Sequence, residues 1–131
     1  MIKWQESYST GIEKLDEQHK NLFQYCNDLE LGIESGDISK SVLELALRFL
    51  ERYALGHFGQ EETCMHKYAC PMAKTNHRAH QEFIEKYTFY QTKIKESDDF
   101  EVMLKELHRF LESWLKSHIC AIDTKLKECV H

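Results

Sequence analysis

Tyr53-Ala54-Leu55-Gly56-His57-Phe58-Gly59-Gln60-Glu61-Glu62 lies near the middle of the chain and decides how the rest is read. Taken as helix, it puts His57 and Glu61 one turn apart, about 40° from each other on the same side. That side continues an apolar stripe of Leu43, Ala46, Leu50 and Tyr53. A carboxylate on such a stripe is expensive to bury without a partner. With an imidazole one turn away, the expected partner is a metal ion. Gly56 and Gly59 each cost this helix roughly 1 kcal/mol relative to alanine, which is tolerated where something approaches the backbone closely.

Outward from this stretch the chain reads as helix in both directions. The second helix starts at Ser39 or Ser41, with Ser41 and Glu44 in capping-box spacing, and runs to about residue 68, where Cys70-Pro71 stops it. Before it, residues 15–34 carry Leu15, His19, Leu22, Cys26, Leu29 and Ile33 at alternating steps of four and three, and Gly36 ends the run. After it, residues 74–95 place Asn76, His80, Phe83, Tyr87, Tyr90 and Ile94 on one side. Asp98 and Glu101 have box spacing before a fourth helix, whose seam is Phe100, Met103, Leu107, Leu111, Trp114 and His118. Residues 1–14 read as an extended arm anchored by Trp4 and Tyr8 and broken by Gly11, and residues 121–128 as a short amphipathic piece. Four helices with short loops predict an all-α protein, an up-down-up-down antiparallel four-helix bundle with an N-terminal extended arm and a short C-terminal helix.

With 131 residues the chain makes one domain, 1–131. Apolar residues at 42% and charged residues at 30% are those of a globular protein rather than a disordered one. The net charge is −5 and the 17 basic residues are scattered, so no stripe for nucleic acid forms. No run approaches the roughly 18 apolar residues of a membrane span, and nothing at the start reads as a signal peptide. A cytoplasmic location follows as the expectation. Five cysteines without CxxC spacing suit reduced thiols, with Cys26 and Cys64 on or beside core stripes.

Eight histidines are the unusual feature of the composition. His66, His108 and His131 fall off the seams and read as surface residues, His66 within reach of Glu62. His19, His57, His80 and His118 each occupy a seam, one per helix. A single seam histidine is ordinarily a satisfied core residue, but four of them with Glu61 can form one layer across an antiparallel bundle, which is how metal sites in bundle cores are built. A second carboxylate is available in Asp123. It lies five residues after His118, about 140° round an unbroken helix, so it faces the core only if the helix ends or kinks there.

The segments Leu15-Asp16-Glu17-Gln18-His19-Lys20, His57-Phe58-Gly59-Gln60-Glu61-Glu62 and Trp114-Leu115-Lys116-Ser117-His118-Ile119, followed by Asp123, resemble the hemerythrins, and the bacterial single-domain members in particular. The resemblance covers nearly the whole chain. It implies a non-haem di-iron site that binds O2 reversibly, with two Fe ions cycling between ferrous and ferric. The irons are bridged by a glutamate, an aspartate and a solvent-derived oxo or hydroxo. By position, Glu61 and Asp123 would bridge, His19 and His57 would hold the O2-binding iron, and His80 and His118 its partner. Phe58, Trp114, Leu115 and Ile119 would form a dry O2 pocket.

The third helix departs from the family pattern, which has a histidine where this chain has Asn76, while His77 sits one residue late. A local π-type bulge would bring His77 to the iron, Asn76 or a water would fill the place, or the second iron would be weakly held. The first is the expectation. A second departure is Leu126, where the family often has a tyrosine. The resemblance implies an O2 carrier, store or supplier rather than an enzyme, with an electron-transfer or oxygen-consuming partner conceivable. The alternatives are a di-iron redox enzyme or a sensor of O2, NO or peroxide, with oxidase- or peroxidase-like side activity, and thirdly iron storage.

Overall fold

The computed structural model describes residues 2–119 and 125–129, and within them every regular element is helical. The long elements are α1 (Glu13–Glu34), α2 (Lys40–Tyr53), α3 (Gly59–Lys67), α4 (Ala73–Glu96) and α5 (Phe100–His118), with a short α6 (Leu126–Cys129). Between α2 and α3 the chain does not stop. Residues Ala54–Phe58 form a π turn, so the second helix of the bundle is α2, this turn and α3 in one rod.

Cross-helix partners show the antiparallel arrangement directly. Glu51 bonds Gln91 while Glu61, further along, bonds His80, earlier in α4. Tyr90 bonds Glu106 while His80 faces His118, so α4 and α5 also run oppositely. Tyr25 stacks on Phe49 at 4.0 Å, and His19 meets His57, which sets α1 against the second rod. The main core is the set of seam residues expected from their spacing, including Leu22, Leu43, Leu50, Phe83, Leu107 and Leu111. A second, smaller cluster at the ligand end joins Leu15, Met65, Cys70 and Leu126. No helix among the described residues is long and apolar enough to cross a membrane.

Several end signals differ from expectation. Ser39, not Ser41, caps α2, its Oγ accepting from the Val42 N–H at 3.3 Å. Ser41 lies already inside the helix, and Glu44 reaches Lys40 instead. The Asp98–Glu101 box does not form either. Asp98 uses its backbone carbonyl to accept from Phe100, and Glu101 pairs with Lys105 at 2.9 Å. The arm is not wholly extended: it contains a single 3-10 turn, Glu6–Tyr8. Trp4 and Tyr8 do anchor it, both packing on Phe23. Asp16 then ties it to α1, accepting from the Thr10 N–H and Oγ1 at 2.8 Å each.

Both tight helix ends use the left-handed backbone region. Gly36 (φ 92°) closes α1, with Asp37 N–H reaching Gly32 O at 2.8 Å. At the end of α3 the same role falls to Ala69 (φ 51°), with Cys70 N–H reaching Met65 O at 2.9 Å. An L residue there carries a penalty of roughly 1–2 kcal/mol that glycine avoids. Ala69→Gly is therefore expected to raise stability by about 0.5–1 kcal/mol, and Gly36→Ala to lower it by a similar amount. Equilibrium urea unfolding checks both, and midpoints moving in the same direction would contradict the account.

Candidate metal centre

Within the π turn two neighbouring side chains both face inward. In an unbroken α-helix adjacent residues diverge by about 100°. Here His57 and Phe58 are 3% and 2% exposed, and the inward stripe resumes one turn later at Glu61 and then Met65, both at 0%. Such insertions sit frequently at functional sites. Gly56 within the turn and Gly59 just after it both face outward, and a Cβ added to either would meet nothing within 4 Å. The expectation of a close approach to these glycines is thus corrected: they face open space.

Four helical rods each contribute one histidine to a single buried layer, with His19, His80 and His118 at most 1% exposed. Glu61 lies at its centre. Its Oε2 is 2.9 Å from His19 Nε2 and 3.1 Å from His57 Nε2, while its Oε1 is 3.0 Å from His80 Nε2 and 3.3 Å from His118 Nε2. The imidazoles pair across the carboxylate, His19 Nε2 to His57 Nε2 at 2.9 Å and His80 Nε2 to His118 Nε2 at 3.2 Å. One carboxylate oxygen thus serves each histidine pair.

These spacings fit metal ions. Neighbouring ligands at right angles with bonds of about 2.1 Å lie about 3 Å apart, which is the edge length in both triangles. Hydrogen bonds alone account poorly for the layer, since neighbouring Nε2 atoms compete for each carboxylate oxygen. Imidazole with carboxylate is a donor set suited to iron. The two groups His19–His57–Glu61 and Glu61–His80–His118 each bring three donor atoms together. Burial pushes the Glu61 carboxyl up, but hydrogen bonds from His118, His19, His57 and His80 outweigh it and hold it well below the usual range. The anion is therefore the stable form. Its contribution to stability is present above the ordinary carboxylate pKa and is lost as pH falls through the depressed value.

Outer contacts orient two of the rings. His57 Nδ1 donates to Gln18 Oε1, and Gln18 Nε2 donates to Gln60 Oε1 at 2.9 Å. His80 Nδ1 lies 3.4 Å from Glu62 Oε2, whose other oxygen bonds His77 Nδ1. Ligand histidines characteristically donate the second ring N–H, as His57 does to Gln18, which leaves Nε2 for the metal. Phe58 lies flat on His80 with centroids 3.8 Å apart, and Trp114 stacks on His118 at 4.2 Å. Trp114 also donates from Nε1 to Ala79 O at 3.0 Å, which fastens α5 to α4. Leu115 and Ile119 are fully buried nearby on the same helix end.

Other expectations fare differently. His77 is not brought to the centre. Its side chain is 59% exposed and is held by Glu62, because α4 is regular through this turn and points it outward. Asn76 is the residue that faces inward, at 0% exposure. Glu62 reaches the back of His80, and its partner is His77 rather than His66. His108 is not a free surface histidine: its side chain is 13% exposed between Glu30 and Glu112. Leu126 is buried in the second cluster. Asp123 lies outside the described residues. Gln18, Gln60 and Glu62 were missed as supporting residues, although each directly precedes or follows a ligand in sequence.

Comparison with known proteins agrees with this geometry. A family model described as the Hemerythrin HHE cation binding domain matches residues 10–130. A bacteriohemerythrin of Pseudomonas aeruginosa is 31% identical over 121 residues, 90% of this chain and 74% of the relative. A bacteriohemerythrin of Clostridium acetobutylicum is 29% identical over 127 residues, covering 94% of this chain and 96% of its own. A myohemerythrin of Theromyzon tessulatum is 30% identical over 125 residues, 95% and 90% respectively.

Glu61→Ala is expected to reduce bound iron to one ion per chain or fewer, since it removes the donor common to both triangles. Glu62→Ala keeps the stoichiometry but weakens affinity by about tenfold, as loss of an outer-shell partner does. His77→Ala leaves the iron content unchanged. Metal analysis with a competing chelator checks all three, and equal iron in Glu61→Ala and wild type would remove Glu61 from the centre.

Proposed function

Because the chain belongs to the hemerythrin family, whose members are non-haem iron, oxygen-binding proteins, we propose that it binds O2 reversibly at a pair of iron ions. In this proposal it acts as a carrier, store or supplier in the cytoplasm rather than as an enzyme. The observation that supports this best is Glu61, with one oxygen toward each histidine pair inside a layer closed to water. His19 and His57 hold one ion with Glu61, His80 and His118 hold the other, and Asp123 would be a second bridging carboxylate. Iron bound there supplies reversible electron exchange with O2.

The chain's own residues supply the setting. The Gln18 and Glu62 contacts hold the His57 and His80 rings in place, so little reorganisation accompanies a change of iron charge. Phe58, Trp114, Leu115 and Ile119 keep the layer dry, so water would be excluded from whatever small molecule the centre takes up. One observation favours the alternative of a redox enzyme or sensor of O2, NO or peroxide: Asn76 stands where a further imidazole would complete the second ion.

Ferrous protein exposed to O2 and then flushed with argon distinguishes the two. A carrier develops a visible absorption that the flush reverses over repeated cycles, whereas one-way oxidation in the first exposure points to redox chemistry. Chelation of the iron is expected to lower the melting temperature markedly, because it returns four imidazoles and a carboxylate to one dry layer without their counterion. An unchanged melting temperature would contradict the buried site.

A further inference from the structure

Asn76 is completely buried, and neither its Oδ1 nor its Nδ2 has a hydrogen-bond partner. Buried amides are almost always satisfied, and an orphaned one marks a place for an ion or an ordered water. Its position says which. Asn76 precedes His80 by one turn on the inward face of α4, so it borders the His80–His118 half of the centre. The one imidazole close by in sequence, His77, is turned outward to Glu62. No nitrogen donor therefore stands at this turn of the helix on the inward side.

We propose that Asn76 Oδ1 is the third protein donor beside His80 and His118. As a neutral amide oxygen it holds its ion more weakly than an imidazole would, which makes that ion the labile one. An amide nitrogen is a donor of hydrogen bonds only, so Oδ1 is the atom that can serve. Imidazole is the better partner for iron-class ions, whereas carbonyl oxygen suits harder ones. The centre is thereby asymmetric: the His19–His57 half has its His57 ring braced by Gln18, and the other half ends in a weak ligand. This rests on the dinuclear reading given above.

Iron(II) loading of the intact chain and release to excess chelator test it together. Wild type should take up two ions, one for each donor group, and lose them in two phases. Asn76→His should slow the fast phase by about tenfold or more. Asn76→Leu should hold one ion, while its metal-free form melts no lower than metal-free wild type, since the orphaned amide is gone. The proposal is overturned if Asn76→Leu keeps two ions with wild-type release, if Asn76→His leaves the fast phase unchanged, or if wild type releases both ions in one phase. Uptake of fewer than two ions by wild type would instead remove the dinuclear reading itself. Should Asn76→Leu fail to fold, the release rate of Asn76→His decides alone.

Discussion

A carboxylate with no exposure to water, placed among four imidazoles, is the constraint on which the rest of this structure depends. Burying an ionised group is costly unless charge and hydrogen bonds are restored around it. Glu61 obtains that restoration from every rod of the bundle at once, since His19, His57, His80 and His118 come from four different rods. The leucine seams can slide or rotate with modest loss, because apolar packing is non-directional. The Glu61 layer cannot, because it fixes distances to about 3 Å. Helix register is therefore set by polar geometry at one end and filled in by hydrophobic packing along the remainder.

The aromatic residues translate that constraint into rigidity. Phe58 and Trp114 lie flat on His80 and His118 respectively, and Phe58, Phe83 and Trp114 are in mutual contact. The His80 and His118 rings are thus held by van der Waals surface on their faces, and the His57 ring by the hydrogen bond from its Nδ1 to Gln18. A site held this way presents nearly the same cavity whether or not its charge changes, which is the physical requirement for reversible binding.

Spacing made most of this legible. Steps of three and four along Leu15 to Ile33 or Phe83 to Ile94 have only one helical meaning, and the four seam histidines follow from the same count. The π turn was not legible, because periodicity detects a phase change only when enough apolar residues lie on both sides. Gly56, His57, Gly59 and Gln60 blur that boundary. His77 was misjudged for a related reason: the need for an imidazole was weighed above the cost of bending a regular helix, and α4 simply continues. Glu62 shows that a rotation angle describes where a Cβ points, not where a flexible side chain ends. The caps were the least legible feature, since Ser39 and Ser41 carry the same signal and the winner is decided by how the preceding loop leaves Gly36.

The π turn at Ala54–Phe58 has a consequence for how this gene can change. It holds one residue more than an α-helical turn would, so removing any one codon within it restores ordinary winding. A turn closed by i→i+5 bonds winds its extra residue through roughly the rotation that an α-helical turn covers without it, so such a deletion leaves no break in the helix and keeps α2 nearly in phase with α3. The apolar side of Leu43, Ala46, Leu47 and Leu50 and the Glu61 layer would still face the same interior. Leu55 and Gly56, which face outward, are the positions where one residue can be lost at least cost to the centre, whereas His57 and Phe58 cannot be spared. Length variation that a bundle ordinarily confines to its surface loops is thus tolerated here inside a helix, beside the ligands themselves.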